Sequence, residues 1–424
     1  MNRSARAAAP AWHWRHLLDA PHRLAFFLAI VVLMFASAWW VLVQGARLGD
    51  GWGLRYAVSP SLLHATVMTF GFMPLFFAGF LFTAGPRWLG TAPPKARQLL
   101  VPLSLQAVGW LNWLVGGHVA LVWALAGLLA AWLGLAWVQV LFWGLLRRSQ
   151  VSDRLHARVI GVAGLLGLLS VGGVVLALVL QAPELARLCV LSGLWASGVA
   201  TYMAVAHRMI PFFTASAIPL FKVWSPKWLL HTVLAGIALE LLAIWLEWAG
   251  VVAGGSTQSA WMLTRGLAEL ALGGLVLYMA LAWGLAQSLK IRLLGMLHLG
   301  LVWLGVSWVL AGLSQWLGLS SGVAALGLGP LHALTMGFFG SLMLAMVTRV
   351  SCGHSGRPLL ADNVVWGLFW ALQLATLWRI GSALPNAAPW LMSVPALLWA
   401  LVAIGWGARW LSGYARARAD GQAG

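Results

Sequence analysis

Two short segments carry histidine and methionine at one spacing. In His64-Ala-Thr-Val-Met68-Thr-Phe-Gly71 the two residues are four apart, and His332-Ala-Leu-Thr-Met336-Gly337 repeats the pattern. Residues four apart share a helix face. Imidazoles presented at one depth by two helices can hold an iron from both sides, which is the donor set that protein-ligated haem needs. Ala65, Gly71, Ala333, Gly337 and Gly340 leave room nearby for a porphyrin or for a close neighbouring helix. Haem b with His64 and His332 as axial ligands is one expectation; capping or interhelical hydrogen bonding by the same rings is the other. Met68 and Met336 read as pocket packing. Arg379 and Arg55 are the cations placed to meet haem propionates, or to anchor the chain at an interface.

A second histidine group comprises His207, His231, His298 and His354. Imidazole is a common ligand for copper, zinc and iron. No HxH or HxxxH pair occurs among the four, so they are weak second-site candidates, with copper as the possible ion. The third chemical feature is acidic. Glu240 falls near the middle of an apolar stretch, and Glu247 follows on the same face. Glu269 comes one turn after Arg265 and is placed to pair with it. Carboxylates inside a bilayer are costly and commonly serve proton transfer, so Glu240 and Glu247 are the relay candidates.

The elements that carry these residues follow from composition. Of 424 residues, 62% are apolar and 8% charged. Soluble domains hold about 45–50% apolar and about 25% charged residues, so a soluble globular enzyme and a disordered chain are both excluded. A spanning helix takes about 20 apolar residues. Twelve candidate spans result, at roughly 24–44, 62–84, 98–116, 119–146, 157–180, 184–207, 228–250, 260–288, 295–318, 330–352, 364–383 and 388–412. This predicts an all-α polytopic membrane protein with one membrane domain and a flexible tail over 413–424. The first apolar run lacks a cleavage pattern and reads as a retained helix.

The net charge of +17 invites a nucleic-acid reading. The positions of the charges oppose it. Of 26 Lys and Arg, 21 fall at the chain ends and in alternate connections; the exceptions are Arg47, Arg55, Arg187, Arg265 and Arg379. Basic residues gather on the cytoplasmic side, which predicts both termini in the cytoplasm, a lipid bilayer as the partner and no nucleic acid. Cys189 and Cys352 then sit near opposite faces and form no disulfide. Of 29 Trp, Trp39, Trp40, Trp88, Trp224, Trp228, Trp390 and Trp410 lie near predicted helix ends and read as an interfacial belt. Pro211, Pro219 and Pro226 predict an interfacial or partly re-entrant connection over 207–227.

The chain has no GxxxxGK[ST], no strand-borne GxGxxG and no CxxCH, which argues against ATP-driven transport by this chain alone and against covalent haem. Several passages, in order, resemble the NnrS family: Pro21-His22-Arg23-Leu24-Ala-Phe26-Phe27, His207-Arg-Met-Ile210-Pro211-Phe212-Phe213-Thr214, Leu297-His298-Leu-Gly-Leu-Val-Trp303, Leu331-His332-Ala-Leu-Thr335-Met-Gly337, and Met346-Val-Thr348-Arg349-Val-Ser351-Cys-Gly353-His354-Ser-Gly356-Arg357-Pro358. The resemblance implies a twelve-helix bacterial inner-membrane protein associated with haem, copper and the response to nitric oxide. It also implies a bundle distantly similar to the catalytic subunit of haem-copper oxidases, where histidines of the second and tenth helices hold a low-spin haem; His64 and His332 fall there. Arg379 is the nearest match to the arginine pair that meets propionates in those oxidases. Family members usually carry HxHE where this chain reads His64-Ala65-Thr66-Val67, and the histidines of an oxidase copper site are absent from its sixth and seventh helices. The function expected is haem-based electron transfer or nitric-oxide-linked haem chemistry in nitrosative stress or denitrification, with a quinol or a cytochrome as electron donor. The alternatives are a proton-coupled carrier without haem, and a reductase or oxidase that needs another subunit.

Overall fold

The computed structural model describes residues 12–49 and 51–418. Arg3 and Arg6 of the predicted N-terminal cluster lie outside them. Twelve helices are long and apolar enough to span a membrane: α1 Pro21–Ala46, α2 Pro60–Leu89, α3 Ala96–Val119, α4 Leu121–Arg148, α5 Leu155–Val179, α6 Pro183–Ala217, α7 Lys227–Trp248, α8 Gly255–Ala282, α9 Arg292–Leu317, α10 Gly329–Ser355, α11 Asn363–Gly381 and α12 Pro389–Tyr414. No strand occurs among the described residues. Every predicted span is present, and the chain is an integral membrane protein.

Both described ends lie on one face, called here the terminal face. His13 N donates to Ala415 O at 2.8 Å, and the buried Arg23 donates to Arg416 O at 2.8 Å. Tyr414 is buried and its hydroxyl meets Ser351 Oγ at 2.5 Å. Tyr414, Ala415 and Arg416 are thus bonded to the rest of the protein. The remaining residues of the predicted tail, 419–424, lie outside those described.

Local sequence explains the helix ends. Proline occupies the first turn of α1, α2, α6 and α10, where its missing N–H has no partner to lose. Asp362 caps α11 by accepting from Val365 N at 3.0 Å. Gly90 and Gly356 close α2 and α10 with left-handed backbone at φ 59° and 71°.

One connection differs from expectation. Helix α6 does not stop before Pro211 but runs on to Ala217, so only 218–226 links α6 to α7. A proline in a helix forfeits one backbone bond, and in a bundle neighbouring groups make up for it. Thr214 Oγ1 bonds back to Ile210 O at 2.9 Å and thickens the ladder there.

Three helices are irregular in their distal halves. α2 breaks at Gly71–Phe72. α6 opens into a π turn over Leu194–Val199, and α10 does so over Ala333–Gly340. Such wide turns concentrate at functional positions.

The tryptophans divide. Trp224, Trp228 and Trp390 are exposed near helix ends, as a belt requires, but Trp39 and Trp410 are buried. Many indoles serve as interhelical pegs instead. Trp399 donates to Ser37 Oγ at 3.0 Å, Trp406 to Thr348 Oγ1 at 3.0 Å and Trp303 to Gln373 Oε1 at 2.6 Å. An indole N–H inside a bundle needs an acceptor.

Helices α8 and α9 approach closely through glycine. A Cβ on Gly312 would lie 2.6 Å from Gly266 O, whereas one on Gly381 would meet nothing within 4 Å. Gly312→Val should therefore force α8 from α9 and lower stability by about 1–3 kcal/mol, while Gly381→Ala should leave it unchanged. Thermal unfolding of both variants in detergent measures the difference.

Candidate functional site

A cavity of about 870 Å³ opens in the distal half of the bundle. Ligand pockets run to about 300–1,000 Å³, so this one is large. It brings together two groups that the sequence suggested separately. His64, His332 and Arg379 line it, and so do Glu240, Glu247 and Arg265.

The histidine wall comes from helices that start at the distal face. His64 lies in the second turn of α2 and His332 at the close of the first turn of α10, just before the π turn. Both lie within the first two turns of their helices and line the same cavity. The His64 ring stacks on Trp40 of α1, with centroids 3.8 Å apart and planes 16° from parallel. Its Nδ1 is buried without a hydrogen-bond partner. His332 Nδ1 lies 2.9 Å from Leu328 O. A carbonyl oxygen only accepts, so Nδ1 carries the proton and Nε2 keeps its lone pair. That is the tautomer of a metal-ligating imidazole whose other nitrogen is tied to backbone. Met68 and Met336 line the same space, one turn further along each helix.

Cations stand at the distal rim. Arg379, at the end of α11, reaches Ser382 Oγ at 3.4 Å and has no carboxylate partner among the described residues. Arg55 is not at the cavity: its side chain is exposed and its carbonyl accepts from His118 Nδ1 at 2.8 Å. The loop after α1 carries it away from the site. Arg47 holds the second position, with its guanidinium 5.3 Å from the Trp40 ring centre. The signal for Arg47 was present in the chain, because it follows Trp40 by seven residues, two turns along one face of α1.

The opposite wall is ionic. Arg265 of α8 donates through Nε to Glu269 Oε1 at 2.8 Å, through one terminal nitrogen to Glu240 Oε2 at 2.9 Å, and through the other to Glu247 Oε1. The expected Arg265–Glu269 pair is thus one arm of a four-residue cluster. Trp308 of α9 donates to Glu240 Oε1 at 3.0 Å, and Trp261 donates to Glu247 Oε1 at 2.8 Å. Glu240 and Glu269 are 3% and 0% exposed. The role of Arg265 as the hub was not legible, since it depends on α7 and α8 presenting these faces to each other.

The second histidine group does not converge. His207 meets His156 at 3.0 Å and Pro226 O at 3.1 Å. His298 lies 3.0 Å from Thr214 Oγ1. His354 packs against His22 at 4.5 Å between ring centres, and His231 is exposed. Among the described residues no three or more His, Cys, Asp or Glu gather as a metal site. The pairings of His156 with His207 and of His22 with His354 join distant helices, so spacing along the chain does not reveal them. Near His156, Asp153 accepts from Leu155 N at 3.2 Å and pairs with Lys227 at 3.2 Å. These bonds hold its carboxyl below the usual range, the backbone bond contributing most.

The donor types at the cavity fit a bis-histidine haem: two imidazoles from separate helices, one with Nδ1 tied to backbone and Nε2 unpartnered among the described residues, and two arginines on the lining. Fold and cavity together define a polytopic helical membrane protein with a largely apolar chamber inside the bundle that carries two histidines and an ionic cluster. The family model described as NnrS protein matches residues 16–418, nearly the whole chain. The chain belongs to the NnrS family. No curated protein matches it.

Removing the guanidinium hub leaves buried carboxylates without their counter-ion. Breaking a buried pair by deleting one partner costs about 3–5 kcal/mol. Arg265→Met should therefore lose stability on that scale in mixed-micelle unfolding. Trp308→Phe, which removes one donor from Glu240, should lose about 1–3 kcal/mol.

Proposed function

We propose that the chain is a haem b protein of the bacterial inner membrane, with both termini cytoplasmic. It acts in nitrosative stress or denitrification by haem-based electron transfer or nitric-oxide-linked haem chemistry. The observation that carries this reading is that His64 and His332, from two helices, line one cavity, with His332 Nδ1 tied to Leu328 O and its Nε2 left without a protein partner among the described residues. Their placement on the second and tenth helices is the arrangement expected from the oxidase likeness. The grouping of basic residues on the terminal face supports the orientation.

In this reading His332 is held by Leu328 and His64 by stacking on Trp40, so both rings are oriented before anything binds. Arg379 and Arg47 supply positive charge at the distal rim for propionates. Trp40, Trp195 and Trp399 line the chamber with flat apolar surface for a porphyrin to pack against. Bound there, haem b supplies reversible one-electron transfer. A quinol or a cytochrome is the donor class, and nitric oxide the small molecule to which the response is directed. Copper forms no part of this reading, because His207, His231, His298 and His354 are dispersed over four places.

A second reading is a proton-coupled carrier, favoured by Glu240 and Glu247 on the same cavity. One spectrum separates the two. Protein expressed with ample haem should show a low-spin b-type spectrum, and His64→Ala and His332→Ala should each abolish or convert it. Arg379→Gln should weaken haem retention, while Arg55→Gln should not. A colourless wild type would overturn the haem reading.

A further inference from the structure

The chain has four glutamates, Glu184, Glu240, Glu247 and Glu269. Three of them surround one guanidinium. The charges do not balance: three ionised carboxylates on one arginine leave two negative charges in the wall of the cavity. A buried, uncompensated carboxylate is relieved by binding a proton.

The hydrogen bonds say where that proton sits. Glu247 is the outermost of the three, is 43% exposed at its side chain and has two donors, Arg265 and Trp261. It can remain ionised. Glu240 has a donor on each oxygen, Arg265 on Oε2 and Trp308 on Oε1. Glu269 is wholly buried and has a donor on Oε1 alone; no donor reaches its Oε2. It shares Arg265 with Glu240, each carboxylate taking one nitrogen of the same guanidinium. Two buried carboxylates held by one cation leave a charge uncompensated, and a proton on the pair removes it.

Other charges do not supply the missing balance. Arg47 of α1, His64 of α2, Glu184 and Arg187 of α6, His332 of α10 and Arg379 of α11 face the same cavity. Among the described residues none of them forms an ion pair with Glu240 or Glu269. α9 contributes Trp308, which does not ionise.

We propose that Glu240 and Glu269 hold one proton between them at neutral pH and form a proton-loading site on the cavity wall, with Glu247 as its outlet. Release transfers that proton from the carboxyl O–H to water in the cavity past Glu247, leaving a second carboxylate beside Arg265; uptake reverses the step. No electron or further reactant is involved, and the site does not depend on haem.

Infrared spectroscopy of the full chain in detergent tests this. Wild type at neutral pH should show a protonated-carboxyl C=O band that shifts when glutamate is labelled with 13C. The labelling is close to site-specific, because the fourth glutamate, Glu184, is exposed. The band should move slightly in D2O and vanish in Glu269→Gln. Identical labelled and unlabelled spectra in that region would overturn the proposal. So would a labelled band that survives unchanged in both Glu269→Gln and Glu240→Gln. The labelling arm uses wild type alone and so stands even where a variant fails to fold.

Discussion

A guanidinium inside a helical bundle has to be neutralised where it stands, and Arg265 meets that demand by drawing Glu240, Glu247 and Glu269 around itself. The contact fixes how α7 lies on α8. Gly266, the next residue, lies against Gly312 of α9, and Trp308 of α9 reaches Glu240. Three helices are thereby locked through one side chain and its neighbour. The histidine wall is built differently. It depends on stacking against Trp40 and on one backbone carbonyl at Leu328, without an ion pair. The cavity thus has one electrostatically rigid wall and one wall whose polar atoms remain available.

The chamber coexists with broken helices. α2, α6 and α10 each depart from regular geometry beside it, and α10 does so directly after His332. Irregular backbone at membrane depth is tolerated where it is buried in protein or faces a cavity. Each π turn takes up an extra residue and shifts the face presented by the rest of its helix. In α10 this lets His332 face the chamber while Thr348 and Ser351 face Trp406 and Tyr414.

The twelve helices were legible because each is a long apolar run bounded by charge, glycine or proline. The placement of His64 and His332 near the starts of their helices was legible because it needs only their position along two spans that start at the same face. Pro211 misled, since its local effect was outweighed by the packing of α6 within the bundle. The loop that turns Arg55 outward and leaves Arg47 at the rim could not be read from spacing along the chain alone. The hub role of Arg265 was hidden for a related reason. Its pairing with Glu269 is local, but Glu240 and Glu247 reach it only through the register of two helices. Buried Trp39 and Trp410 escaped the belt assignment because nearness to a helix end does not reveal which way a ring points.

The carboxylate cluster also bears on how the chain enters the bilayer. Glu240, Glu247, Arg265 and Glu269 all belong to α7 and α8, consecutive helices joined by a short distal connection. Inserted one at a time, α7 would carry two carboxylates and α8 an arginine and a carboxylate through hydrocarbon. Inserted as a helical hairpin, the pair brings Arg265 to its carboxylates before α9 is made, and protons meet the excess acid. The residues that place charge on the wall of the finished chamber in this way also favour the entry of two of its helices together.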